Sequence, residues 1–200
     1  MKQVYEWNSG AWKLLFSCML FFLSCSPVQL TSAWSDRNTQ AMRFDRILVV
    51  SFGRDPAKRK LGEDHIKAEM ERHGQVAFTS LDVFGPGFAS ADSLSRRQLL
   101  LEKGFDGLVT FRVTSVDDDY AWQLNTMPTL HLTRTVDEQV VYMTSELYRV
   151  KDDKIMWRGQ SNSSSSDPTE DMATRYARNI VRDMINKRVL LAGKKKLARG

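Results

Sequence analysis

The run Ile47-Leu48-Val49-Val50-Ser51-Phe52 is apolar at nearly every position and rich in β-branched residues. A strand with one wet face alternates polar and apolar side chains, whereas a strand without that alternation is covered on both faces, as in parallel sheets flanked by helices. The residues that follow agree with a strand-helix-strand unit. Gly53-Arg54-Asp55-Pro56 breaks the run, with Asp55 as a helix cap and Pro56 at the first helical position. Leu61, Ile66 and Met70 then form a narrow apolar stripe among dense charges up to His73, a surface helix closed by Gly74. Gln75 to Ser80 is a second strand, parallel to the first through a right-handed crossover.

Further along, Gly85-Pro86-Gly87 marks a loop. Ser93 to Lys103 predicts a helix carrying Leu94, Leu99, Leu100 and Leu101, closed by Gly104. Phe105 to about Val116 is a third strand. From Asp117 to about Asp137 the pattern lapses, a length that in a compact domain often carries function, with room for a short strand near Thr129 to Leu132. Val140 to Tyr148 alternates with strand period. Lys151-Asp152-Asp153-Lys154 turns the chain, and Ile155 to Gly159 returns as a hairpin arm. Asp167-Pro168-Thr169-Glu170 combines a cap, Pro at the first helical position and an acid three places after the cap. Met172, Ala173, Tyr176, Ala177, Ile180, Val181 and Met184 follow at helical spacing. The expected fold is α/β (α+β): a mixed sheet of about five strands in the order β-α-β-α-β-β-β-α, parallel in its first half and antiparallel in its second, with helices packed on it.

The front of the chain sets its address. Lys2 and Lys13 precede the apolar run Leu14 to Cys25, and Ser24-Cys25-Ser26-Pro27 closes it, the layout of a secretory signal. The run is about 12 residues, short of the roughly 20 that a spanning helix needs. Residues 1–24 are therefore expected to be a removable signal, 25–43 a polar tether whose Trp34 packs onto the domain, 44–188 the domain, and 189–200 a basic tail. Cys18 and Cys25 are the only cysteines, so the mature fold has neither a disulfide nor a thiolate metal site. The chain carries 29 basic and 24 acidic residues. Six of the cations, Lys187, Arg188, Lys194, Lys195, Lys196 and Arg199, lie in an acid-free terminal stretch, and residues 25–186 hold 21 basic against 23 acidic. The basic balance belongs to the terminus and not to a nucleic-acid surface.

Phe22-Leu23-Ser24-Cys25 resembles a bacterial lipoprotein signal, which implies cleavage before Cys25 and a diacylglycerol and fatty acid on that residue; Leu15-Phe16-Ser17-Cys18 is a competing match with too little apolar run ahead of it. The Ser-Ala-Trp patch, Ile47-Leu48-Val49-Val50, the first helix with Arg59 and Glu63, Lys103-Gly104-Phe105-Asp106-Gly107, Tyr148 to Trp157 and the Asp167-Pro168 helix together resemble a group of uncharacterised bacterial lipoproteins. More distantly the arrangement is similar to α/β domains of periplasmic assembly lipoproteins such as the curli-secretion pore subunit, and to the N-terminal domain of the Tol-system propeller protein. The resemblance implies a periplasmic interaction domain with no catalytic residues to carry over, and Ser26 after the cysteine implies sorting to the outer membrane.

Four constellations bear on chemistry. Tyr120, Trp122, Met127 and His131 enrich the irregular segment in contact-type side chains and form the preferred partner-binding surface. Arg54, Lys58 and Arg59 surround a strand-to-helix turn where free backbone N–H groups favour anions, the alternative site. Asp117-Asp118-Asp119 lacks the alternate spacing and glycine of a calcium loop, and His65, His73 and His131 are too scattered for a metal or a catalytic base. No metal, cofactor or catalytic set is expected. The sequence thus predicts a lipid-anchored, non-catalytic binding or assembly module of the cell envelope, on the periplasmic face of the outer membrane, whose partners are the membrane and other envelope proteins; the alternative is a periplasmic domain that binds a small ligand or anion.

Overall fold

The computed structural model describes residues 28–36, 42–125, 131–163 and 170–192, and the side chains of all of these except 116–125 and 131–139. In chain order the elements are β1 (Val28–Ser35), β2 (Ile47–Ser51), α1 (Pro56–Arg72), β3 (Ala77–Thr79), α2 (Ser80–Phe84), a 3-10 turn (Pro86–Ser90), α3 (Ser93–Glu102), β4 (Gly107–Asn125), β5 (His131–Arg149), β6 (Lys154–Ser163) and α4 (Glu170–Asn186). The strands form one six-stranded mixed sheet in the order β1-β6-β5-β4-β2-β3. β2 pairs in parallel with β3 and β4, and β4, β5, β6 and β1 pair antiparallel. This is the α+β fold that the sequence predicts, with one strand more.

All of β2 is buried, because its two faces feed two cores. Ile47 and Val49 join Val109, Leu147 and Trp157 beneath α1 and α4, which contribute Ile66, Met70, Tyr176, Ile180, Val181 and Met184. Leu48 and Val50 point the other way, onto Phe88, Leu100, Phe105 and Val150. A polar bond ties the first layer together: the buried Trp157 indole donates to Asp183 Oδ2 at 2.7 Å, joining β6 to α4. The Gly104 to Gly107 motif is structural. Gly104 takes φ +71°, Phe105 fills the second core, and the Asp106 carboxylate accepts from Asp45 N and Arg46 N at 2.8 and 2.9 Å.

Three expectations are corrected. Residues 28–35, assigned to a tether, are the edge strand β1: Val28 is 1% exposed, Asn179 Nδ2 donates to its carbonyl at 3.0 Å, and Leu30 and Ala33 pack against the core. Trp34 within it is 54% exposed rather than packed. Residues 117–125 and 131–137, expected to be irregular, are paired strand, since β4 and β5 stay paired out to Asn125 opposite His131. The ladder of β6 on β5 stops at Val141 opposite Ser163, so the outer part of this hairpin runs beyond β6. Finally, Val189 and Leu190, assigned to the tail, are buried; Arg188 turns the chain at φ 57° and Leu190 bridges to Met42. The Asp167-Pro168 cap, the signal and residues 193–200 lie outside the described residues.

Candidate functional site

Where β2 hands over to α1, Asp55 caps the helix as expected, its Oδ1 accepting from Ala57 N at 2.8 Å and Lys58 N at 3.3 Å. The carboxylate therefore fills the place that an anion would take at this helix start, and the backbone amides that the sequence suggested as an anion cradle are already used. One turn on, Arg59 and Glu63 face inward, 5% and 0% exposed. Glu63 Oε1 accepts from Ser51 N at 2.9 Å and Ser80 Oγ at 2.8 Å, and Oε2 accepts from Leu81 N at 3.2 Å. Arg59 Nη2 lies 3.8 Å from Glu63 Oε1, and Nη1 donates to Pro86 O at 3.1 Å. The pair thus clamps α1 to the ends of β2 and β3. Its charge is internally matched, which takes Arg59 out of the set of surplus cations.

Beside this clamp lies a cavity of about 400 Å³ between the sheet and the helices. Leu61 and Gly62 of α1, Phe111 and Val113 of β4, Val141 and Met143 of β5, Met172, Ala173 and Tyr176 of α4, and Val28 of β1 line it. Gly62 is required for this wall, because a Cβ there would stand 2.5 Å from a Phe111 ring carbon. The Tyr176 hydroxyl is bonded to Ser145 Oγ, and burial pushes its phenol well above the ordinary tyrosine range. The Tyr176 hydroxyl is therefore engaged in holding the fold. Arg54, Lys58 and Arg112 also line the cavity, and Arg54 and Arg112 are exposed. Arg59 borders it as well, with a buried Nε that has no hydrogen-bond partner among the described residues.

Of the predicted site residues, the structure brings Arg54, Lys58 and Arg59 to one cavity and adds Arg112, which the sequence reading missed. Its signal was a lone cation inside the apolar strand run Leu108 to Val113. The partner-binding group is spread along the β4–β5 ribbon. Tyr120 pairs with Val136, Trp122 with Arg134 and His131 with Asn125, so these residues occupy register positions of both parities; Met127 and Cys25 lie outside the described residues. His65 Nδ1 is 3.2 Å from Thr174 Oγ1, and His73, at the end of α1, meets Glu69 Oε1 at 3.3 Å. Among the described residues no group of three or more His, Cys, Asp or Glu is placed to hold a metal ion, and no helix is long and apolar enough to cross a membrane.

No family model and no curated protein matches the sequence. Among solved structures the chain is similar to a variant PelC dodecamer from Paraburkholderia phytofirmans, with 13% identity and a TM-score of 0.46 over 78% of this chain and 98% of that one. It is also similar to lipoprotein GNA1162 from Neisseria meningitidis, with 16% identity and a TM-score of 0.39 over 70% and 98% of the two chains. A minor lipoprotein from Acinetobacter baumannii matches at 12% identity and a TM-score of 0.29, over 73% of this chain and 96% of that one. These are weak likenesses of form to lipoproteins among others, and they assign no ligand or partner.

Proposed function

We propose that this chain is a lipid-anchored, non-catalytic binding module of the cell envelope, held to a membrane through acyl groups on Cys25 and binding a small apolar ligand between its sheet and helices. The apolar cavity beside the Arg59–Glu63 clamp carries the binding part of this reading. Small-molecule sites are concave, mostly apolar and furnished with few polar groups, over a range of about 300–1,000 Å³, and the cavity has that character. The buried carboxylate of the adjoining clamp, Glu63, has both oxygens engaged by Ser51, Ser80 and Leu81, which suits a structural role and not a general base. The signal-like segment ending at Cys25 supports the anchor. The early start of β1 gives it a consequence: three residues span at most about 10 Å, so acylation at Cys25 would hold the Val28 end of the sheet against the membrane surface.

Globomycin, which blocks the lipoprotein signal peptidase, tests the anchor in cells. The reading expects the longer precursor to accumulate; an unchanged mature size contradicts it.

A further inference from the structure

We propose that the projecting part of the β4–β5 ribbon, residues 116–125 and 131–140, lies with its apolar face in the headgroup layer of the membrane that holds Cys25. This rests on the acylation of Cys25 and is independent of what the cavity binds. Strand directions carry the argument. Val28 stands opposite Ser163, Ser163 opposite Val141 and Val141 opposite Val116, a single rung across the sheet. β4 runs from that rung towards Asn125, away from the sheet, and β1 runs from it the other way, because β4, β5, β6 and β1 alternate in direction. β1 therefore starts at the end of the sheet from which the ribbon projects. From Val116 to Asn125 the ribbon reaches about 30 Å, whereas Cys25 stands at most about 10 Å from Val28. A membrane that holds Cys25 is thus met by the ribbon, which is too long to stand upright beneath it.

The residue pattern fits that surface. Asp117, Asp118, Asp119, Asp137 and Glu138 gather at the root of the ribbon, and beyond them residues 120–125 and 131–136 hold no acid. In that outer part Tyr120 pairs with Val136, Trp122 with Arg134 and Leu124 with Leu132, and these pairs share one face. Ala121 with Thr135, Gln123 with Thr133 and Asn125 with His131 share the other. Tryptophan and tyrosine favour the bilayer interface, and an arginine beside them suits lipid phosphate. A single copy does not span, because the ribbon's outer edges, past the last pairings of β2 with β4 and of β6 with β5, carry backbone groups that hydrocarbon would leave unpaired. The headgroup layer supplies water and polar partners for those edges. A two-stranded ribbon is marginal alone in water, and the surface covers its apolar face. A protein at the same face would have to share the space of at most about 10 Å that the tether leaves.

The test uses the mature chain purified from the membranes of cells that express it, in phosphatidylcholine vesicles containing a spin-labelled phosphatidylcholine as quencher. Acylation occupies the Cys25 thiol, so single cysteines introduced by Leu124→Cys, Leu132→Cys, Gln123→Cys and Thr133→Cys can each carry a nitrobenzoxadiazole fluorophore. Lys151→Cys, in the turn between β5 and β6 at the far end of the sheet, is the control. The proposal expects several-fold stronger quenching in Leu124→Cys and Leu132→Cys than in Gln123→Cys, Thr133→Cys and the control. Adding Trp122→Glu to Leu132→Cys should lower its quenching several-fold. Equal quenching on both faces, or none on either, overturns the proposal. Blue-shifted emission in Leu124→Cys that the quencher does not touch marks a protein in place of lipid and overturns it as well. Intact mass separates the two readings: a purified chain without acyl groups overturns the anchor and this proposal together, whereas an acylated chain with an unquenched ribbon overturns this proposal alone.

Discussion

Glu63 and Arg59 stand one helical turn apart with almost no exposure, and the carboxylate gathers three donors from two separate segments, the end of β2 and the start of α2. Removing one partner of such a pair strands the other charge, which costs about 3–5 kcal/mol. Glu63→Ala should therefore destabilise the fold by about that amount in denaturant melts, while the exposed pair of Lys60 and Asp64, 3.0 Å apart on the same helix, should change stability little when Asp64 is replaced by Ala. The phenols supply a pH dependence. Burial, followed by the bond to Glu146, raises Tyr148, and burial raises Tyr176. A group whose folded pKa is raised contributes stability that is complete below its unfolded pKa, here about 10, and lost as pH rises beyond it. In an alkaline titration of the native chain, the ionisation of these two phenols should coincide with the loss of near-ultraviolet dichroism; their ionisation in a chain that keeps its dichroism would contradict their burial.

The elements that the sequence disclosed are those whose periodicity is unbroken. Ile47 to Ser51 reads as a strand because both of its faces are covered, and Met172 to Met184 reads as a helix because one stripe is. Asp55 and Gly74 marked the ends of α1 through chemistry local to each residue. β1 was hidden by a bulge. Val28 and Leu30 face the core in one phase, the register shifts between Leu30 and Ser32, and Ala33 packs inward in the opposite phase, so no period of two survives along eight residues. The β4–β5 pairing was hidden in the same way by register shifts between Val113 and Ser115 and between Asp119 and Tyr120, together with three successive aspartates. The cavity could not be read from spacing at all, since its lining is assembled from α1, α4 and five strands. Deleting residues 28–35 from the full chain tests β1. The loss of the Val28 side chain alone should cost about 1.5–3 kcal/mol, which lowers Tm by roughly 3–12 °C in a chain of this size, and the bare edge of β6 should promote aggregation. A tether would leave Tm unchanged.

At the scale of the whole molecule, the sheet begins three residues after Cys25, with Val28 serving both as the first residue of β1 and as one wall of the cavity. An acyl anchor at Cys25 would set that wall within about 10 Å of the modified residue. Multiple acyl chains, at about 0.8 kcal/mol per buried methylene, make such an anchor durable. The exposed Trp34, six residues into β1, would then be available to the interfacial zone that tryptophan favours. The measurement that tests this account most directly is metabolic labelling with a palmitate analogue, followed by membrane fractionation of the wild-type chain, Cys25→Ala and Cys18→Ala. The account predicts label and membrane association in the wild type and in Cys18→Ala, with the label lost in Cys25→Ala. An unlabelled wild-type chain, or label that persists in Cys25→Ala, would contradict it.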